Sequence, residues 1–233
     1  MHRSVAPRFE SAGWTPSSWP EADLAPGELH VWRADLDSPI EIGVLSREER
    51  ERAARLQQEM HRLRWSRSRA LLRRLLGAYL ERGPKTIEFA EGRHGKPAVT
   101  GGDGIEFNLS HSGSLVVLAV TSGNPLGVDV EAEREVREPL AIADRLFGAD
   151  EAERLRSLPE ADRSHEFLRS WVRYEAVLKC RGKRLGAPAD GTSAHLIDLN
   201  PGRGAVAAVA LEQPPRSVVL RELRDSPFRR QAG

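Results

Sequence analysis

The 233-residue chain has little cysteine, little net charge and no long apolar run, and each shortage removes a class of protein. One cysteine, Cys180, allows no intramolecular disulfide, which excludes a disulfide-stapled scaffold and points to a reducing cytoplasm. Cys180 stands between Lys179 and Arg181, cations that lower a thiol pKa, yet it reads as a core filler rather than a nucleophile. Lysine and arginine total 35 against 34 aspartate and glutamate, a net charge of +1. A general nucleic-acid binder carries a strong basic excess instead. No apolar stretch approaches a membrane span. The first residues hold Arg and Pro without a continuous apolar core, which does not read as a secretory signal. No internal repeat is evident. What is present, 39% hydrophobic and 30% charged residues, suits a soluble globular protein of one large domain or two small ones.

Pro7, Pro16, Pro20 and Pro26 break residues 1–27 into an irregular arm, with Trp14 and Trp19 available to dock it on the body. A first strand follows at 28–34. Ser46-Arg-Glu-Glu49 has the spacing of a capping box and opens a helical region running to about Glu81. Its second half carries one apolar stripe through Leu71, Leu72, Leu75 and Leu76. The arginines at 62, 64, 67, 69, 73 and 74 read mostly as a solvated face, with one or two free to hold an anion. Short strands at 87–90, 104–112, 114–121 and 126–131 are separated by Gly-rich turns. Helical stretches follow at about 140–158 and 162–181, then strands at 193–199, 205–211 and 217–223. This order predicts an α+β fold of two similar lobes, 28–124 and 125–226, each an antiparallel sheet packed with a long helix, and a frayed tail at 227–233.

Three carboxylates stand out. Asp129 and Glu131 lie two apart on one strand and share a face, while Val128 and Val130 fill the other. Two like charges side by side repel unless a cation or donors intervene; a solvated strand face would produce the same pattern. Glu175 interrupts the apolar stripe Leu168, Trp171, Val172, Ala176 of the last long helix. Its inexpensive partner is Lys179 at i+4; its alternative is a metal shared with Asp129 and Glu131. Hard oxygen donors of this kind suit Mg²⁺. Ser110 and His111, with Lys96 and the nearby arginines, suit phosphate binding better than serine hydrolysis, because adjacent strand residues point to opposite faces.

In order along the chain, His94-Gly-Lys-Pro97, Phe107-Asn-Leu-Ser-His-Ser112, Gly127-Val-Asp-Val-Glu131, Arg145-Leu-Phe147 with Glu151, and Trp171-Val-Arg-Tyr-Glu-Ala-Val-Leu-Lys179 resemble the 4′-phosphopantetheinyl transferases of the surfactin-synthetase-activating type. The likeness covers about residues 46 to 186. It implies two pseudo-symmetric α+β lobes with coenzyme A between them. It also implies transfer of the 4′-phosphopantetheine group to a serine of an apo acyl or peptidyl carrier protein, with release of 3′,5′-ADP. Asp129, Glu131 and Glu175 then match Mg²⁺ ligands, and Glu175 is expected to take the serine proton, directly or through a metal-bound water. Lys179 matches a lysine at the pyrophosphate. Lys96, Ser110 and His111 match coenzyme A contacts, and Arg62 resembles an arginine at the 3′-phosphate. The expected setting is a cytoplasmic monomer, away from nucleic acid and membrane, serving polyketide, nonribosomal peptide or other secondary metabolite biosynthesis. Val130 occupies a position where some members carry another carboxylate. Tyr174 stands where the family's pattern has lysine. That departure keeps one rival open: a degenerate relative that binds coenzyme A or a carrier without turnover.

Overall fold

The computed structural model describes residues 13–17, 23–91, 96–102, 104–184, 186 and 194–224. Most of the expected N-terminal arm, including Trp19, the His94-Gly95 part of the 92–97 loop, and the tail at 227–233 lie outside the described residues.

A five-stranded sheet has the order β1 (Thr15–Ser17), β10 (Ser217–Leu223), β2 (Glu28–Asp35), β6 (Leu115–Ser122), β5 (Ile105–Ser112). A three-stranded sheet has the order β7 (Leu126–Ala132), β9 (Ala205–Leu211), β8 (His195–Leu199). A small hairpin pairs β3 (Phe89–Glu91) with β4 (Pro97–Val99). The two larger sheets pack face to face: Leu29, Val31, Val117 and Ala119 meet Val128, Val130, Val209 and Leu211 in one apolar cluster. Alternation sends the remaining residues of each strand outward, where a long helix covers them. Helix α2 (Glu59–Tyr79) lays Leu71, Leu72, Leu75 and Leu76 on Trp32, Val116, Leu118 and Val120. Helix α5 (Glu160–Arg181) lays Leu168, Val172, Ala176 and Cys180 on Val206, Ala208 and Ala210. Each leucine so buried stabilises the fold by about 1.5–3 kcal/mol. Among the described residues no helix is long and apolar enough to cross a membrane.

The fold is α+β as the pattern predicts, but three features differ from it. The larger sheet is mixed, not antiparallel, because β10 joins β2 in parallel register and β1 joins β10 likewise. Strand β10 also belongs to the sheet of the first half, whereas chain order assigned it to the second. Its Leu220 completes the core beside Leu29 and Val31, and the Arg216 amide donates to Gly27 O at 2.8 Å, tying the crossover down. The two predicted helical regions are each divided: α1 (Arg47–Ala54) precedes α2, and α3 (Pro139–Leu146) precedes α4 (Ala149–Arg156) across Gly148, whose φ is +85°. At the β1/β8 side the sheets part around a cavity of about 840 Å³ lined by Trp14, Val218, Ile197 and Leu199. The turn after β8 spans it: Trp14 donates to Asn200 O at 2.6 Å, Arg33 to Pro201 O, and Arg203 pairs with Asp35.

The capping box forms as read. Ser46 Oγ accepts from the Glu49 amide at 3.2 Å and Glu49 Oε2 accepts from the Ser46 amide at 3.0 Å. The same carboxylate takes Arg73 at 2.5 Å and Arg69 at 2.9 Å. Arg73 and Arg74 are therefore buried, not solvated: α2 meets α1 through charge pairs rather than through apolar contact alone. Burial pushes the Glu49 carboxyl up, but the Ser46 amide and then Arg73 and Arg69 outweigh it, and the net position is below the usual carboxylate range. A depressed folded pKa contributes stability that is present above the unfolded value of about 4.3 and is lost as pH falls through the folded one. Glu49→Gln is expected to cost about 3–5 kcal/mol at pH 7 by leaving two guanidinium groups without their carboxylate. The gap between wild type and variant in urea denaturation should narrow as the pH is taken below 4.3.

Candidate active site at the seam between the sheets

β5 and β7 are edge strands of different sheets and share no backbone ladder. Side chains join them instead. Asn108, Ser110 and Ser112 leave the same face of β5, two residues apart. Asn108 Oδ1 accepts from the Val128 amide at 2.9 Å, and Ser112 Oγ accepts from the Ala132 amide at 3.0 Å. Ser110 Oγ donates to Asp129 Oδ1 at 2.7 Å, and Ser112 Oγ donates to Glu131 Oε2 at 3.1 Å. A carboxamide and a hydroxyl thus take two β7 amides that a neighbouring strand would otherwise satisfy. Val128 and Val130 point the other way, into the core between the sheets.

Helix α5 crosses β7 on the face that carries Asp129. Lys179 Nζ donates to Asp129 Oδ1 at 2.5 Å, lies 3.3 Å from Ser110 Oγ and 3.5 Å from Glu175 Oε2. One strand carboxylate and one helix carboxylate therefore meet at one ammonium. Asp129 is 3% exposed, and its Oδ2 has no hydrogen-bond partner among the described residues. Burial pushes the Asp129 carboxyl up against the pull of Lys179 and Ser110, with Glu131 adding to the rise. Glu175 is raised by burial first and then by the charge of Asp129. Glu131 sits at the edge of this group, paired with Arg134 at 2.8 Å. Among the described residues no three His, Cys, Asp or Glu side chains close on one point, because Asp129 and Glu175 are turned on Lys179 and Glu131 on Ser112 and Arg134. The donor set nevertheless fits a hard divalent cation: oxygen ligands only, mutually repelling carboxylates, and an orphaned buried oxygen on the central one.

The remaining predicted residues fall in three places. His111 is exposed at the mouth of the seam. Desolvation, then Lys179, Arg64 and His61, holds its imidazole below its ordinary pKa. Arg62 is exposed and is not among the charges acting on His111; His61 and Arg64, from the same end of α2, are. Arg64 is held by Asp37 through two bonds of 2.9 and 2.7 Å. Lys96 donates to Leu126 O at 2.7 Å beside a cavity of about 130 Å³ that Cys180 also lines. Burial pushes the Cys180 thiol up to about 11, in line with a filler role. Tyr174 is 6% exposed, packed on Phe147 and Trp171, and its hydroxyl accepts from the Gly186 amide at 3.2 Å. Ser110 is turned inward on Asp129 and His111 outward, as opposite strand faces require. Asn108 and Ser112 carried no separate role in the sequence; their period-2 spacing with Ser110 was the available signal. His61 and Arg64 had none beyond membership of a basic helix.

The 4′-phosphopantetheinyl transferase superfamily matches residues 125–229, and the family described as 4′-phosphopantetheinyl transferase, N-terminal, matches residues 32–123. The 4′-phosphopantetheinyl transferase HetI of Nostoc sp. is 34% identical over 223 residues, covering 85% of this chain and 93% of the relative. The 4′-phosphopantetheinyl transferase Sfp of Bacillus subtilis is 29% identical over 155 residues, 66% of this chain and 68% of the relative. The 4′-phosphopantetheinyl transferase AcpT of Salmonella typhimurium is 31% identical over 129 residues, 55% of this chain and 64% of the relative.

Asn108→Ala should leave the Val128 amide unsatisfied inside the seam and destabilise the protein by about 1–3 kcal/mol. Chemical denaturation measures this directly, and a loss within experimental error would show that the side-chain bridge contributes nothing to the joint.

Proposed function

The chain belongs to the 4′-phosphopantetheinyl transferase superfamily, and on that premise we propose how its own residues carry the transfer of 4′-phosphopantetheine from coenzyme A to a carrier-protein serine. The observation that carries the reading is the meeting of Asp129 and Glu175, from separate elements, at the Lys179 ammonium.

Asp129, Glu131 and Glu175 would hold a magnesium ion, which supplies positive charge for the pyrophosphate of coenzyme A and for the leaving group. Ser110 fixes Asp129 through its hydroxyl, and Ser112 fixes Glu131. The transfer forms a bond between the carrier serine Oγ and the β-phosphorus and breaks the bond from that phosphorus to the bridging oxygen, which leaves with 3′,5′-ADP. Glu175, half-buried and with a raised pKa, takes the serine proton. Lys179 donates to the departing phosphate oxygens, which compete with Asp129 and Glu175 for the same ammonium. Arg64, with His111 and His61 beside it, brings a guanidinium to the mouth of the seam that suits the remaining phosphate; Lys96 lies at the Leu126 end of β7. Positioning and electrostatics provide most of the rate, as in phosphoryl transfers generally. The single cysteine supports a reducing, cytoplasmic setting.

Tyr174 does not argue for a degenerate site. Its ring is an integral part of an aromatic cluster, so the phenol is a packing choice. Tyr174→Lys is expected to lower the melting temperature, because a buried cation replaces a ring packed on Phe147 and Trp171, without a gain in transfer.

The decisive experiment incubates the protein with coenzyme A, Mg²⁺ and apo carriers of the fatty-acid, polyketide and peptide-synthetase kinds. Intact mass should show a phosphopantetheine adduct on the carrier serine. Asp129→Ala should reduce transfer by about 10²–10³-fold or more with the fold intact; near-normal turnover would count against the assignment.

A further inference from the structure

We propose that Gly127 is a positioning residue, which sets how deeply α5 sinks onto β7 and so matches the separation of Asp129 and Glu175 to a small divalent cation. The inference rests on the magnesium reading above and deepens it.

Glycine weakens a strand interior, and its presence there often marks the close approach of another backbone. Gly127 is the second residue of the extended strand β7 and is not among the glycines with positive φ, so no backbone conformation demands it. Space does. A Cβ at 127 would lie 2.2 Å from the Ala176 carbonyl oxygen, 2.4 Å from the Cys180 amide nitrogen and 2.8 Å from Lys179 Cβ. Two of these are main-chain atoms of α5, which no rotamer can move. The neighbouring strand is equally low: Gly127 pairs with Ala210 and Asp129 with Ala208, both fully buried under α5. Glu175 and Lys179, one turn apart, consequently overhang Asp129, two residues along the same strand face.

Ordinary carbon contacts begin near 3.5 Å, so any side chain at 127 lifts the helix by roughly 1 Å. Magnesium demands near-ideal octahedral coordination at about 2.0–2.1 Å, whereas calcium accepts flexible coordination at about 2.3–2.6 Å. A lifted helix should therefore penalise magnesium and spare calcium, a discrimination that general loss of stability would not produce.

Calorimetric titration of the full chain with MgCl₂ and separately with CaCl₂, alongside circular dichroism, tests this. Gly127→Ala is expected to weaken Mg²⁺ roughly 10–100-fold while changing Ca²⁺ less than about threefold. Ala210→Ser adds one atom under the same helix without altering β7, and should shift the ratio in the same direction by less. Unchanged affinities in Gly127→Ala, or equal weakening of both metals in a folded protein, overturn the proposal. If Gly127→Ala does not fold, Ala210→Ser decides, and an unchanged ratio overturns it. Wild-type protein that binds no Mg²⁺, or whose binding survives Asp129→Ala, refutes the metal reading itself and this proposal with it.

Discussion

The structure turns on a joint that backbone hydrogen bonds do not make. β5 and β7 end two different sheets, and each presents a row of main-chain groups that another strand would normally take. Asn108 and Ser112 of β5 take two β7 amides with side chains, so the strands stand one side chain apart instead of one ladder apart. That extra width is the seam at which Asp129 and Glu131 meet β5. It is also why Ser110 and Ser112 can reach the carboxylates of the opposite strand, which direct pairing would have turned away from them.

Charge is arranged on both sides of this joint in complementary ways. On the α2 side guanidinium groups are buried against Glu49 and Glu41, a structural use that leaves nothing for a ligand. On the α5 side carboxylates are buried in excess of their partners: Lys179 serves Asp129 and Glu175 together, and one oxygen of Asp129 is served by nothing described. A surplus of desolvated negative charge is unfavourable to folding alone, and the proposed cation site rests on it.

Much of this was legible in the residues. The capping box at Ser46–Glu49, the leucine stripe of α2, and the shared face of Asp129 and Glu131 each follow from a local period, and local periods survive folding. What was not legible depended on pairing between distant segments. Nothing near 217–223 says that this strand inserts beside β2, because its alternation suits either sheet. The arginines of α2 look alike in sequence, yet Arg73 is buried on Glu49, Arg64 is held by Asp37, and Arg62 is exposed. Helical phase separates them only once the neighbour of each face is known. The same holds for His61 and Arg64, whose approach to His111 is a relation between α2 and β5 that neither segment encodes alone.

The insertion of β10 between β1 and β2 also orders events in time. The ribosome delivers residues 28–124 well before residues 217–223, so the first sheet waits for β10, the neighbour of β2, until every strand of the second has been made. A first half released early would expose the flank of β2 as an open pairing edge, a hazard for a nascent chain. The pairing of β2 with β10 joins the two ends of the polypeptide, and closure over so long a separation slows assembly.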